Sequence, residues 1–143
     1  MKTAEIIDAL NHLTIAGSED YVQLDRLDEL TAQLQQNHDG QLACAAMLSV
    51  LERHPQVHFG APGQLVHAIE SYRGHYENLL LSSLARQPMA STIWLLNRII
   101  NAATDAEKDQ LLVLMQRLQT HPSADEQAKV VAEEFYRFQT REA

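Results

Sequence analysis

Apolar residues recur along this chain at intervals of three and four, a spacing that predicts helices nearly throughout and no strand. Ile6, Ile7, Leu10 and Leu13 hold that period up to Gly17, which predicts a first helix over Thr3 to Ala16. Ser18 is placed to cap a second, with Glu19 and Asp20 in its first turn. Its Leu24, Leu27, Leu30 and Leu34 make one apolar seam that ends before Asn37 and His38. Asp39 is the expected cap of a third helix, with Leu42, Ala46, Leu48 and Leu51 facing inward and closure at Arg53 and His54 ahead of Pro55. His54 to Gly63, with Pro55, Gly60, Pro62 and Gly63, reads as the longest irregular stretch. It is too short, and too apolar at Val57 and Phe59, to separate two domains.

Beyond it the pattern predicts helices over Gln64 to Tyr72, closed near Gly74, over His75 to Arg86, stopped by Pro88, and over Met89 to Asn101. Thr104-Asp105-Ala106-Glu107 and Ser123-Ala124-Asp125-Glu126 are capping-box patterns that start the last two. Leu111, Leu112, Leu114, Met115 and Leu118 line the seventh, which breaks at His121-Pro122; Val130, Val131, Phe135 and Phe138 line the eighth. Eight helices on short connections bury their faces only against one another. The expected fold is therefore all-α, a single domain over residues 1–143 with helices packed as antiparallel pairs, in a compact bundle or a short HEAT-like stack.

Composition narrows the function classes. At 143 residues and 45% hydrophobic content the chain has material for one core. Its single cysteine, Cys44, excludes an intramolecular disulfide and sits in an apolar run, Leu42 to Leu48, where it reads as a buried small hydrophobe in a reducing compartment. Met1-Lys2-Thr3-Ala4-Glu5 has no apolar leader segment, and no run nears the ~18 apolar residues of a membrane span, so a cytoplasmic location without membrane contact is expected. The net charge is −8, and six of those charges fall in residues 1–39, where eight acids meet only Lys2 and Arg26. Such a surface repels phosphate backbones, which argues against direct nucleic-acid binding, and attracts a basic partner.

Candidate chemistry is sparse. His54 and His58 straddle Pro55, and His67 and His75 straddle Gly74, so neither pair shares a helix face; His67 and Glu70 run opposite to the order used in helical di-iron sites. No metal site or cofactor is expected. Cys44 lacks an adjacent base, no Gly-x-Ser-x-Gly elbow occurs, and no phosphate-binding loop is present, so the chain is expected not to be an enzyme. His67 and Glu70, at i and i+3, can touch as an acid/base pair or as a structural hydrogen bond.

Two polar constellations remain. Trp94, Asn97, Arg98 and Asn101 share one helical stripe, and His67 and Glu70 on another helix could meet it. Structurally, Arg98 would pair with Glu70 while Asn97 and Asn101 satisfy loop backbone groups. Functionally, Tyr72, Trp94 and Arg98 are the residue types that dominate protein interfaces, whereas Tyr21, Tyr76, Phe135 and Tyr136 read as core or rim. The second constellation is acidic: Asp25, Asp28 and Glu29 lie opposite the leucine seam with Asp20 one turn earlier, a row that is either a solvated face or a mimic of phosphate toward a basic groove.

The segments His67-Ala68-Ile69-Glu70-Ser71-Tyr72, Tyr76 to Leu81, and Trp94-Leu95-Leu96-Asn97-Arg98-Ile99-Ile100-Asn101 together resemble the immunity protein 30 family of bacterial polymorphic-toxin and contact-dependent growth-inhibition systems. The resemblance covers residues 65–101 and departs from the family pattern in placing Arg98 four residues after Trp94. It implies an intracellular antidote that binds the C-terminal domain of one cognate toxin, often a nuclease, and blocks it. A helical scaffold that binds another protein or peptide is the alternative, and it would leave the acids of the second helix dispensable.

Overall fold

A computed structural model describes residues 1–60 and 63–141. Among them are eight α-helices, one 3₁₀ turn and no strand: α1 (Thr3–His12), α2 (Tyr21–Leu34), the turn Gly40–Ala43, α3 (Cys44–Arg53), α4 (Gln64–Glu70), α5 (Glu77–Arg86), α6 (Ala90–Ala102), α7 (Asp105–Leu118) and α8 (Glu126–Thr140). The all-α expectation holds. Pro62, counted above with the irregular stretch, lies outside the described residues. Read as one domain from its sequence, the chain packs as two compact units, Met1–Leu79 and Leu80–Ala143, which divide within α5.

In the first unit α1 packs on α2 and α3, and α4 closes against both α2 and α3. Ile6, Leu10, Leu27, Leu30, Leu34, Met47, Leu51, Leu65 and Ile69 are fully buried there. Each such side chain contributes roughly 1.5–3 kcal/mol of hydrophobic burial against the entropy of ordering it. The leucine seam of α2 is thus its inward face, and the acids lie outside.

Several boundaries differ from the expected ones, mostly because side chains distant in sequence take up the groups at the helix ends. Helix α1 stops at His12, not Ala16, because Leu13 turns extended and Leu13 and Ile15 are both buried at strand-like spacing with Thr14 and Ala16 exposed between them. The segment is held by the end of α3: Arg53 Nη2 donates to the carbonyls of Leu10 (2.9 Å) and Leu13 (3.0 Å), and His54 Nε2 accepts from the Ile15 N–H. Ser18 does not cap α2. Asp20 does, one oxygen accepting from the Gln23 N–H and the other from the Ala16 N–H, while the Ser18 hydroxyl accepts from the backbone of His58. Asp39 likewise caps nothing; it accepts from the Thr3 hydroxyl, and a 3₁₀ turn precedes α3. Helix α4 closes at Glu70 rather than Tyr72. Helix α5 starts at Glu77 rather than His75, with the Glu77 carboxylate taking the N–H of Gly74, whose φ is +93°.

In the second unit α6, α7 and α8 pack on one another. Ile93, Leu96, Ile100, Met115 and Leu118 fill its interior, and α8 offers Ala128 and Ala132, small side chains that allow close helix approach. Thr104 caps α7 as expected, through the Glu107 N–H. Helix α8 is capped by Asp125, which accepts from the Ala128 N–H at 2.8 Å, and not by Ser123. The end of α5 is tied to the turn before α8 by His121 Nε2 on the Ala85 carbonyl and by the Gln87 amide on the Ser123 carbonyl.

Candidate functional site

Helix α2 turns Asp25, Asp28 and Glu29 outward, as their spacing against the leucine seam requires. Asp20 is engaged in capping and so belongs to the architecture of this face more than to its free charge. Arg26 reaches the Glu29 carboxylate at 3.7 Å, an exposed pair of small energetic worth. Burial, then the neighbouring charge of Asp25, pushes the Asp28 carboxyl above the usual carboxylate value.

The same face carries Tyr21, expected as core or rim, and Val22, for which no role was expected. Tyr21 is 66% exposed and Val22 75% exposed, at the first turn of α2. Tyr21 therefore is not core. Tyr21 and Asp25 are i, i+4, and Val22 and Glu29 are i, i+7, so aromatic, aliphatic and acidic groups share one exposed stripe. The signal was present in the periodicity, since both residues fall off the leucine seam.

Beside this stripe lies a cleft of about 280 Å³ between α2 and the segment His58–Gly60, with Tyr21, Leu24, Asp28, Phe59 and Leu65 in its walls. The far wall is tied to the segment before α2 by the His58 N–H, which donates to the Ser18 hydroxyl at 2.9 Å, and within the wall the Gly60 N–H donates to His58 Nδ1 at 3.1 Å. Phe59 meets His54 edge-on, ring centroids 6.4 Å apart. Nothing in local sequence pairs this loop with α2, so the cleft was not legible.

The other predicted residues are distributed between the units. On α6, the Arg98 guanidinium lies 5.4 Å from the centre of the Trp94 ring, a cation–π contact at i, i+4. Asn97 is buried and Asn101 exposed, and both amide oxygens accept from Gln139 of α8, at 2.8 and 2.7 Å. The two amides thus lock α6 to α8 through a residue the sequence had not singled out. In the first unit His67 is exposed and Glu70 half-buried on α4. The Tyr72 hydroxyl is buried against Gly40 without a hydrogen-bond partner among the described residues, so the polar end of this candidate anchor faces inward.

Cys44 is fully buried, and burial, followed by the Glu77 charge, pushes its thiol up to about 11, far from a nucleophilic thiolate at neutral pH. Among the described residues no group of three or more His, Cys, Asp or Glu side chains could hold a metal ion, and no helix is long and apolar enough to cross a membrane. No family model, curated protein or solved structure matches the chain.

Proposed function

We propose that this chain is an immunity protein of the cytoplasm that binds one cognate bacterial toxin domain, a basic nuclease, and occludes its active site or substrate groove. The outer face of α2 is the surface that binds. The observation that carries the reading is the placement of exposed Tyr21 and Val22 within the row of Asp25, Asp28 and Glu29. Stable interfaces combine a few aromatic or aliphatic anchors, which exclude water, with a charged surround that speeds encounter and rejects wrong partners. Carboxylates in a row suit a surface that has evolved to hold phosphates. The chain supplies no chemistry in this account; it acts stoichiometrically.

The resemblance of residues 65–101 to immunity protein 30 sequences supports the same reading and supplies its biological setting. Co-expression with the toxin domain encoded beside the gene, followed by size-exclusion chromatography, tests it. A one-to-one complex that survives micromolar dilution is expected, and two separate peaks would refute it.

A further inference from the structure

We infer that the cleft beside α2 is a receptor for one arginine side chain presented by the basic partner, its stem against Leu24 and Phe59 and its guanidinium on the Asp28 carboxylate next to the Tyr21 ring. The inference rests on the reading of α2 as the binding face and names what that face recognises.

Size comes first. A volume of about 280 Å³ lies just below the ~300–1,000 Å³ of small-molecule pockets, and suits a single long side chain. Chemistry comes second. The described walls are apolar at Leu24, Leu27, Phe59 and Leu65 and polar at Ser18, Tyr21 and His58, and Asp28 is their one carboxylate. A long stem with a charged tip matches that division, because the stem can bury its methylenes while the tip reaches the acid. Charge comes third. Asp28 sits on the helix that also carries Asp25 and Glu29, and what raises its carboxyl is lost hydration and a like charge. A cation seated beside it offsets the like charge of Asp25 and replaces lost water contacts with charge-assisted hydrogen bonds.

Arginine is preferred to lysine on geometry. A planar guanidinium stacks on an aromatic face and engages a carboxylate through two parallel N–H bonds, whereas an ammonium is a strongly hydrated point charge that loses more on entering apolar walls. The Phe59 wall is tied to the segment before α2 by the bond from the His58 N–H to the Ser18 hydroxyl, which lowers the ordering required on docking.

The test is an NMR titration of the ¹⁵N-labelled full chain with four blocked tripeptides, glycine–X–glycine, where X is arginine, lysine, citrulline or norleucine. The arginine peptide is expected to give saturable shifts at the amides of Tyr21, Asp28 and Phe59 with a Kd on the order of millimolar. That Kd should rise about tenfold or more in Asp28→Asn and in Leu24→Ala, both of which should keep the wild-type spectrum elsewhere. Equal binding of citrulline or norleucine would overturn the role of charge, and equal binding of lysine the choice of arginine. Absence of saturable shifts, or indifference to both variants, would overturn the site. A dimer of the chain alone that Asp28→Asn dissolves would seat a second copy in the cleft and also overturn it. If the toxin domain binds while Asp28→Asn alters neither titration, the cleft assignment fails and the antidote reading stands. If the arginine peptide docks as described but no adjacent toxin domain binds, the antidote reading fails and the cleft stands.

Discussion

Ile15 donates its backbone N–H to Nε2 of His54 across 3.1 Å, although 39 residues separate them. The other ring nitrogen, Nδ1, lies 2.6 Å from the Val50 carbonyl, so the ring carries its proton on Nδ1 and joins a donor to an acceptor. Val50 is in the last turn of α3, where carbonyls lack helical partners. Arg53 performs the same service for α1 through Leu10 and Leu13. Replacing His54 by Phe keeps most of the volume but leaves the Ile15 N–H and the Val50 carbonyl unsatisfied in a buried place. The expected cost is about 1–3 kcal/mol, read from urea unfolding. A change below roughly 0.5 kcal/mol would mean that water reaches both groups.

Gly40 and Tyr72 make a second coupled pair. A β-carbon on Gly40 would collide with the Tyr72 hydroxyl and lie 2.8 Å from the Leu34 carbonyl. Gly40→Ala should therefore destabilise by about 1–3 kcal/mol. Tyr72→Phe removes a buried hydroxyl with no partner among the described residues, and should be neutral or stabilising by up to about 1 kcal/mol. In the double variant Tyr72→Phe should recover part, not all, of the glycine cost, since the Leu34 carbonyl remains in the way. Strict additivity in that cycle would contradict the contact.

Cys44 sets an alkaline limit. Burial raises its thiol from an ordinary 9.0 to about 11, so the folded chain retains a proton that the unfolded chain has lost across that range. Its contribution to stability is complete below pH 9 and declines as pH rises toward 11. Tyr72, pushed up by burial and by Cys44, adds to the same slope. Cys44→Ala should flatten the fall in urea midpoint between about pH 8 and 10.5, and the wild-type thiol should react with an aromatic disulfide only as the chain unfolds. Rapid labelling of the folded chain would place the thiol at the surface.

Helix existence was legible because burial follows the 3.6-residue period, and Leu24, Leu27, Leu30 and Leu34 name the inner face of α2 without further information. Thr104 was legible as the cap of α7, whereas the caps of α2 and α8 were legible only to within two residues. Ser18 and Asp20, or Ser123 and Asp125, are both capable acceptors, and backbone entry angle decides between them. The end of α1 was hidden because Leu13 continues the helical period of Ile6 and Leu10, whereas Ile15, two positions on, shares a face with Leu13 only in an extended chain. The amide bridge from Gln139 to Asn97 spans 42 residues, and the cleft joins α2 to a loop distant in sequence; such pairings arise from tertiary packing. The period also contains the exposure of Tyr21 and Val22, which both fall off the leucine seam.

The acidic stripe and its aromatic neighbour should separate kinetically. Asp25→Lys with Glu29→Lys should slow association with the toxin domain about tenfold at low salt and flatten its salt dependence, with dissociation little changed. Tyr21→Ala should instead speed dissociation, at a cost of about 2 kcal/mol. Surface plasmon resonance at several salt concentrations resolves the two. Variants that leave both rates unchanged would move the interface off α2.

The central claim is stoichiometric neutralisation through α2, and its most direct measurement is calorimetric titration of the purified toxin domain with the chain, sampled in parallel for toxin activity. The account predicts saturation at one to one with a Kd below about 1 μM, activity that falls in step with occupancy, and weakened binding in Tyr21→Ala. A toxin domain that takes up no chain at micromolar concentration, or stays fully active when saturated with it, would contradict the account.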